Sequence, residues 1–304
     1  MERVKQDMQK FTHKNKLAAN ENFVNRQTLF TSGYYSISDF NCYSNERLKF
    51  KPGYTPEFCI NFARKGYFTF DSFRRSYEEY NSRILVEKPG CEYILTQPYA
   101  GPGGCTIFRF TENGYEEIKE KYKLRQSSFF ADKNIYSLVL AATPESDYLH
   151  HAILKTLGQP GYCLLELDIL VMEFIDVIMN ALTGNSLHAE LPQSSKRYHI
   201  ATIERAKEYI LENFTDNISL NELSQHCYVS PFYFSRLFKQ LSTCSPFYYL
   251  QHIRLKHAET MIRTTDLPLT DICFRSGFNR LDYFSTAFTK KYAISPSRYK
   301  LGFS

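Results

Sequence analysis

Within the stretch SPFYFSRLFKQ, the residues Phe232, Ser235, Arg236 and Lys239 fall at i, i+3, i+4 and i+7, the spacing of one helix face. Phe234, Leu237, Phe238 and Leu241 have the same spacing and form an apolar face for a core. The outward set combines an aromatic ring, a hydroxyl, a guanidinium and an ammonium. Such groups suit contacts to base edges and phosphates. An ordinary solvent face is the alternative, and this helix alone does not decide between them.

Other residues with chemical capacity lead elsewhere. The pairs Glu78-Glu79 and Glu116-Glu117 resemble acid/base carboxylates but lie in polar surroundings, which reads as solvated charge. His150 and His151 are consecutive, about 100° apart on a helix, so they do not share a metal; they read as helix surface. The first 196 residues hold only His13, His150, His151 and His188, none in the region of short strands, so a barrel metal site is not expected. Eight cysteines at 42, 59, 91, 105, 163, 227, 244 and 273 include no CxxC, and most lie in apolar runs. They read as small buried side chains in a reducing cytosol rather than disulfides, zinc ligands or reactive thiols. Arg64, Arg74 and Arg109 would suit an anionic effector, or be exposed strand charges. No Ser/His/Asp order, P-loop or GxGxxG occurs. Neither enzymatic activity nor a cofactor is therefore expected, and the cysteine usage suits a cytoplasmic location.

The elements that would position these residues divide by charge. From Arg197 onward there are 14 Lys and Arg against 9 Asp and Glu, a net +5; the first 196 residues hold 23 of each sign. A basic module for a polyanion is thus joined to a neutral module with another task. After a polar arm of about 30 residues, short apolar runs between 34 and 111 are broken by Gly66, Pro89-Gly90 and the cluster 98–104, which predicts a small β-sandwich or barrel. Helices follow in ENGYEEIKEKY, ESDYLHHAILKTL and 162–182. The last carries a polar stripe of Glu166, Glu173, Asp176 and Asn180, and four acidic residues exclude a membrane span. Apart from Asp168 its remaining circumference is apolar, so it is expected to form a homodimer seam through residues such as Val171 or Ile178. Residues 183–197 read as a linker.

The basic part contains a repeat. Phe234 and Phe284, Phe238 and Phe288, and Ser245-Pro246 and Ser295-Pro296 each stand 50 residues apart. Each copy reads as a short helix, a turn and an amphipathic helix. Ser219 and Glu222 form a capping box before the first copy, and Asn279 and Gly277 are the expected N-cap and turn residue of the second. Between them, about 18 residues with Leu250, Ile253, His257 and Met261 on one stripe form a strut of about 27 Å. Two readers held about one DNA turn apart, ~34 Å, would address consecutive major grooves of double-stranded DNA.

SLNELSQHCYVSPFYFSRLFKQ and YLQHIRLKHAETMIRTTDLPLTDICFRSGFNRLDYFSTAFTKKYAISPSRYK resemble the AraC/XylS family of transcription regulators. The resemblance covers about 198–301 and implies seven helices in two helix–turn–helix units. It assigns base-facing roles to Phe232, Ser235 and Arg236, then to Leu281, Asp282, Ser285 and Thr286. Ser230, Lys239, Arg280 and Lys290 complete the expected DNA-binding set, with Lys291 a further phosphate contact. Thr286 stands where the family often has Arg or Lys, so discrimination is expected to lean on the first reader. Tyr228 stands at a frequent Gly position, so the first turn is expected to need no positive φ. The first 182 residues resemble, more loosely, a cupin-like domain that binds a small-molecule effector and dimerises. The overall expectation is an α+β chain with a cupin-like domain at 1–182, a linker at 183–197 and a DNA-binding domain at 198–304. Partners would be DNA, an effector, RNA polymerase and a second copy. A DNA-binding dimer with a non-sensing barrel, or a cupin enzyme fused to a DNA reader, are the alternatives.

Overall fold

The computed structural model describes residues 23–72, 75–80, 83–124, 128–183 and 196–302. The strand β1 (Phe23–Thr31) pairs antiparallel with β2 (Tyr35–Ser44), so chain order begins within what composition suggested was a polar arm. As an edge strand with mostly exposed side chains, β1 needs little hydrophobicity. Next come β3 (Leu48–Lys49), β4 (Gly53–Thr55), β5 (Phe58–Lys65), β6 (Tyr67–Ser72), β7 (Arg75–Tyr80), β8 (Arg83–Glu87), β9 (Cys91–Gln97) and β10 (Gly101–Phe110). The glycine-rich run expected to be a break opens β10. The helices α1 (Glu112–Lys121) and α2 (Ser128–Ala131) follow, and then β11 (Ser137–Ala141).

Two antiparallel sheets result, one ordered β1-β2-β10-β5-β8-β11, the other β3-β9-β6-β7 with β4 also on β9. Alternation gives the first sheet two buried faces. Phe70, Leu85, Cys91 and Val139 fill the space between the sheets. Phe58, Ile60, Phe62, Ile84, Phe108 and Phe110 point the other way, toward α3 (Pro144–Leu157) and α4 (Leu164–Thr183). Polar groups also enter the inter-sheet space, where Thr55 and Asn61 donate to the buried Glu87 carboxylate at 2.8 and 2.5 Å.

Three residues read as surface are interior. Glu79 is buried, and desolvation raises its carboxyl well above the usual range. His150 is buried against Phe62, ring centroids 3.9 Å apart, with Nε2 2.8 Å from the Thr106 hydroxyl. Burial, with Arg64 and His151 nearby, holds its imidazole well below the usual histidine range. Glu173, from the expected polar stripe of α4, is buried too. Val171 and Ile178 both lie in the chain's own core, so neither is available as a seam residue; the large apolar side chains that α4 leaves exposed are Leu164, Leu165 and Met172.

The basic part is helical: α5 (Lys196–Asn213), α6 (Leu220–His226), α7 (Pro231–Ser242), α8 (Pro246–Thr264), α9 (Leu269–Arg275), α10 (Leu281–Tyr292) and α11 (Pro296–Leu301). Ser230, Ser245 and Ser295 each cap a helix whose first residue is proline, which explains the repeated Ser-Pro pairs. α7 and α10 both end on a left-handed residue, Thr243 and Ala293, with φ 60° in each.

Buried charge joins the two parts. Asp147 of α3 accepts from Lys207 Nζ of α5 at 2.7 Å and from the Tyr249 hydroxyl of α8 at 2.8 Å. Lys256 Nζ of α8 lies 2.8 Å from Glu173 and from Glu259. Burial alone would lower Lys256, but Glu259, Glu173 and Glu145 outweigh it and hold its ammonium above the usual lysine range. The core of α5–α7 is continuous with that of α3 and α4. Leu255, Ala258, Ile262, Ile272, Phe284 and Phe288 form a separate cluster around α9 and α10.

Candidate nucleic-acid interface

The strut α8 runs 19 residues, about 28 Å at 1.5 Å per residue. Each end packs one helix–turn–helix: α6 and α7 on one side, α9 and α10 on the other. Arg254 of the strut donates from Nε to the Phe214 carbonyl at 2.7 Å and from a terminal nitrogen to the Asp216 carbonyl at 2.6 Å. Gly277 closes the second turn against the same segment. Its φ is +81°, and an added Cβ would meet the Phe214 carbonyl at 2.7 Å and Arg254 Nε at 2.8 Å. Glycine is required there by conformation and by space. That close approach fixes the second unit against the first.

The sequence capping box is present: Ser219 Oγ accepts from Glu222 N–H at 3.1 Å, and Glu222 accepts from Ser219 N–H at 3.4 Å. The N-cap of α10 is Arg280, one residue after the expected Asn279, and its side chain makes no capping bond. The first turn differs more sharply from expectation. Tyr228 has φ +57°, so a positive φ is needed although the residue is not glycine. The reason is the closing pair of backbone bonds, Tyr228 N–H to Gln225 O and Val229 N–H to Ser224 O, both 3.0 Å. They match Gly277 N–H to Phe274 O at 3.0 Å and Phe278 N–H to Cys273 O at 3.1 Å. A left-handed conformation costs an L-residue about 1–2 kcal/mol, and more for a bulky side chain.

On α7, Phe234, Leu237 and Phe238 are buried while Phe232, Arg236 and Lys239 are exposed and Ser235 is half-buried. Phe232, at the N-terminal turn, is 82% exposed, unusual for an aromatic ring. Ser230 is used as the cap, its Oγ accepting from Tyr233 N–H at 3.4 Å. On α10, Leu281, Asp282, Thr286 and Lys290 are exposed and Ser285 is half-buried. These side chains are more engaged. Arg280 grips Asp282 through two bonds of 2.6 and 3.1 Å, which holds the carboxyl below its usual range. The Thr286 hydroxyl donates to the Asp282 carbonyl at 2.9 Å and Thr289 to Ser285 at 2.8 Å. Lys291 departs from expectation: its Nζ is buried without a hydrogen-bond partner among the described residues, and desolvation lowers its pKa. It does not reach the outer face. Sequence reasoning also missed Arg205, whose guanidinium lies 5.6 Å from the centre of the Tyr228 ring.

A cleft of about 530 Å³ lies between the first part and α5, bordered by Arg64, Tyr67, His151, Leu154, Ile200 and Arg205. Arg64 is paired with Asp39. Arg74 falls outside the described residues, and Arg109 is half-buried on β10. Burial pushes the thiols of Cys42, Cys91, Cys227 and Cys244 up to about 11. Among the described residues no group of three or more His, Cys, Asp or Glu could hold a metal ion, and no helix is long and apolar enough to cross a membrane.

Residues 223–301 match the family described as Helix-turn-helix domain. Over 100 residues the chain is 33% identical to the uncharacterized HTH-type transcriptional regulator YijO of Escherichia coli K12, covering 33% of this chain and 35% of that protein. Over 109 residues it is 29% identical to the bifunctional transcriptional activator/DNA repair enzyme AdaA of Bacillus subtilis, covering 36% and 52%. Among solved structures, the C-terminal domain of AraT from Geobacillus stearothermophilus is 34% identical, with 33% of this chain and 84% of that chain covered and a TM-score of 0.32. The chain spans about a third to a half of the length of these curated relatives. The repeated helical units at the end of this chain form an AraC-type helix-turn-helix domain.

Proposed function

We propose that the protein is a sequence-specific DNA-binding transcription regulator, with α7 and α10 entering consecutive major grooves. The observation that carries this is the pair of matched helices with polar outward faces, fixed on one strut by Arg254 and the Gly277 contact. The organisation that goes with it is a cupin-like domain at 1–182, a linker at 183–197 whose first residue, Thr183, ends α4 and whose last two, Lys196 and Arg197, open α5, and the reader at 198–304. In this reading α7 provides base discrimination through Phe232, Ser235 and Arg236. Leu281, Asp282, Ser285 and Thr286 on α10 contribute less, because Asp282 and Thr286 already have partners within the chain. Lys239 and Lys290 hold phosphates, and Arg280 does so on giving up its grip on Asp282.

A small-molecule effector is the second element of the reading, and the 530 Å³ cleft beside α5 supports it through its volume and its place between sheet and reader. The protein acts by binding and not by catalysis, in keeping with thiols raised by burial. Self-association would use Leu164, Leu165 and Met172 rather than the buried face of α4, and sedimentation at micromolar concentration tests it. The DNA reading itself is tested by selecting duplexes from a random pool with the full-length protein. An enriched site with two elements about one turn apart is expected. Recovery of unenriched sequence after repeated rounds would count against it.

A further inference from the structure

Tyr228 combines two features that the fold does not need together. Its backbone is left-handed, φ +57°, and its side chain is 85% exposed. The second unit makes the same turn with Gly277, where the neighbouring Phe214 carbonyl leaves no room for a side chain. At Tyr228 there is room, but a glycine would relieve the backbone at no cost in buried contacts. Its ring meets the Arg205 guanidinium at 5.6 Å, and an exposed cation–π contact is weak compensation for a strained aromatic residue. Strain retained on an exposed side chain points to a contact outside the chain.

The place of the pair indicates which contact. Tyr228 stands three residues before the first residue of α7 and four before the exposed Phe232. In a helix–turn–helix docked on a duplex, the elements preceding the reading helix lie over the sugar-phosphate backbone beside the groove. A phenol hydroxyl and a guanidinium are both phosphate donors. We propose that Tyr228 and Arg205 form a phosphate-gripping pair at the edge of the major groove entered by α7, which anchors the first unit independently of sequence. The inference rests on the DNA-binding reading above.

A 30-base-pair duplex of random sequence is the probe, titrated with full-length protein over a salt series, and each variant is also melted without DNA. Tyr228→Gly is expected to melt a few degrees higher and to bind about tenfold more weakly. Tyr228→Phe, which keeps the ring and loses the hydroxyl, should show a similar loss of binding. Arg205→Ala should lower the slope of log affinity against log salt by about one. If Tyr228→Gly or Tyr228→Phe binds as tightly as the wild type, the inference is overturned while the DNA-binding reading stands. If Tyr228→Gly melts lower than the wild type, the strain argument is overturned. Absence of salt-dependent binding by the wild type would overturn the underlying reading, and the phosphate grip with it.

Discussion

Replacing Asp147 by Asn removes the negative charge facing Lys207 while leaving an acceptor for the Tyr249 hydroxyl. Both charged side chains are nearly inaccessible, 5% exposed for Asp147 and 3% for Lys207, with 2.7 Å between their charged atoms. Removing one partner of such a buried pair costs about 3–5 kcal/mol. Asp147→Asn should fall at the lower end, about 3 kcal/mol, because the Tyr249 bond of 2.8 Å has a replacement acceptor. With a urea dependence of about 3 kcal/mol/M, the unfolding midpoint should drop by about 1 M. The triple variant Asp147→Leu, Lys207→Met and Tyr249→Phe puts apolar groups of similar size in place of both charges and removes the hydroxyl that Asp147 accepts from, and should recover most of the loss. Chemical denaturation of these two variants and the wild type, followed by far-ultraviolet circular dichroism, compares the losses directly. A cost below about 1 kcal/mol for Asp147→Asn is the value for a solvated surface pair. It would refute the argument that α3 and the reader are packed together around this charge.

Three other perturbations follow from the same geometry. Gly277→Ala meets both a φ of +81° and a Cβ contact of 2.7 Å with the Phe214 carbonyl, so a loss of about 2 kcal/mol or more is expected in thermal melts; wild-type stability would contradict the tight approach. Burial, reinforced by Lys155, depresses His257 to about 4 from an ordinary value near 6.5, while its Nδ1 lies 2.8 Å from the Tyr148 hydroxyl. The unfolded chain therefore binds the proton more tightly, and stability present above pH 6.5 should be lost as pH falls toward 4, by up to about 3 kcal/mol (2.5 units at 1.36 kcal/mol each). Urea midpoints from pH 7 to 4.5 should fall less steeply in His257→Gln, and parallel curves would contradict the assignment. Arg236→Ala should cost about 1–3 kcal/mol of specific binding and Thr286→Ala less, since Thr286 already donates to the Asp282 carbonyl; the reverse order in filter-binding assays would reverse the ranking of the readers.

What was legible in the sequence follows from the range of the interactions involved. The faces of α7 and α10 and the capping box at Ser219 depend on residues three or four apart, so spacing alone revealed them. The repeat of 50 residues likewise appears as repeated caps and left-handed helix ends. Long-range partners were not legible. His150 looked like surface because Phe62 and Thr106 lie on strands 88 and 44 residues away in sequence. Glu173 looked like part of a solvent stripe because its ion partners, Lys256 and Arg263, belong to the reader. Tyr228 differs for another reason: the hydrogen bonds closing the turn dictate its backbone conformation, and residue type alone does not signal them. β1 was missed because an exposed edge strand carries little periodic apolar signal.

The central claim is that α7 and α10 read two consecutive grooves on one side of a duplex. Hydroxyl-radical footprinting of the full-length protein on its selected site tests this most directly. Two protected segments about one helical turn apart, ~34 Å, are expected on the same face, with Arg236→Ala weakening the one beneath α7. A single protected segment, or protection unchanged by Arg236→Ala, would contradict it.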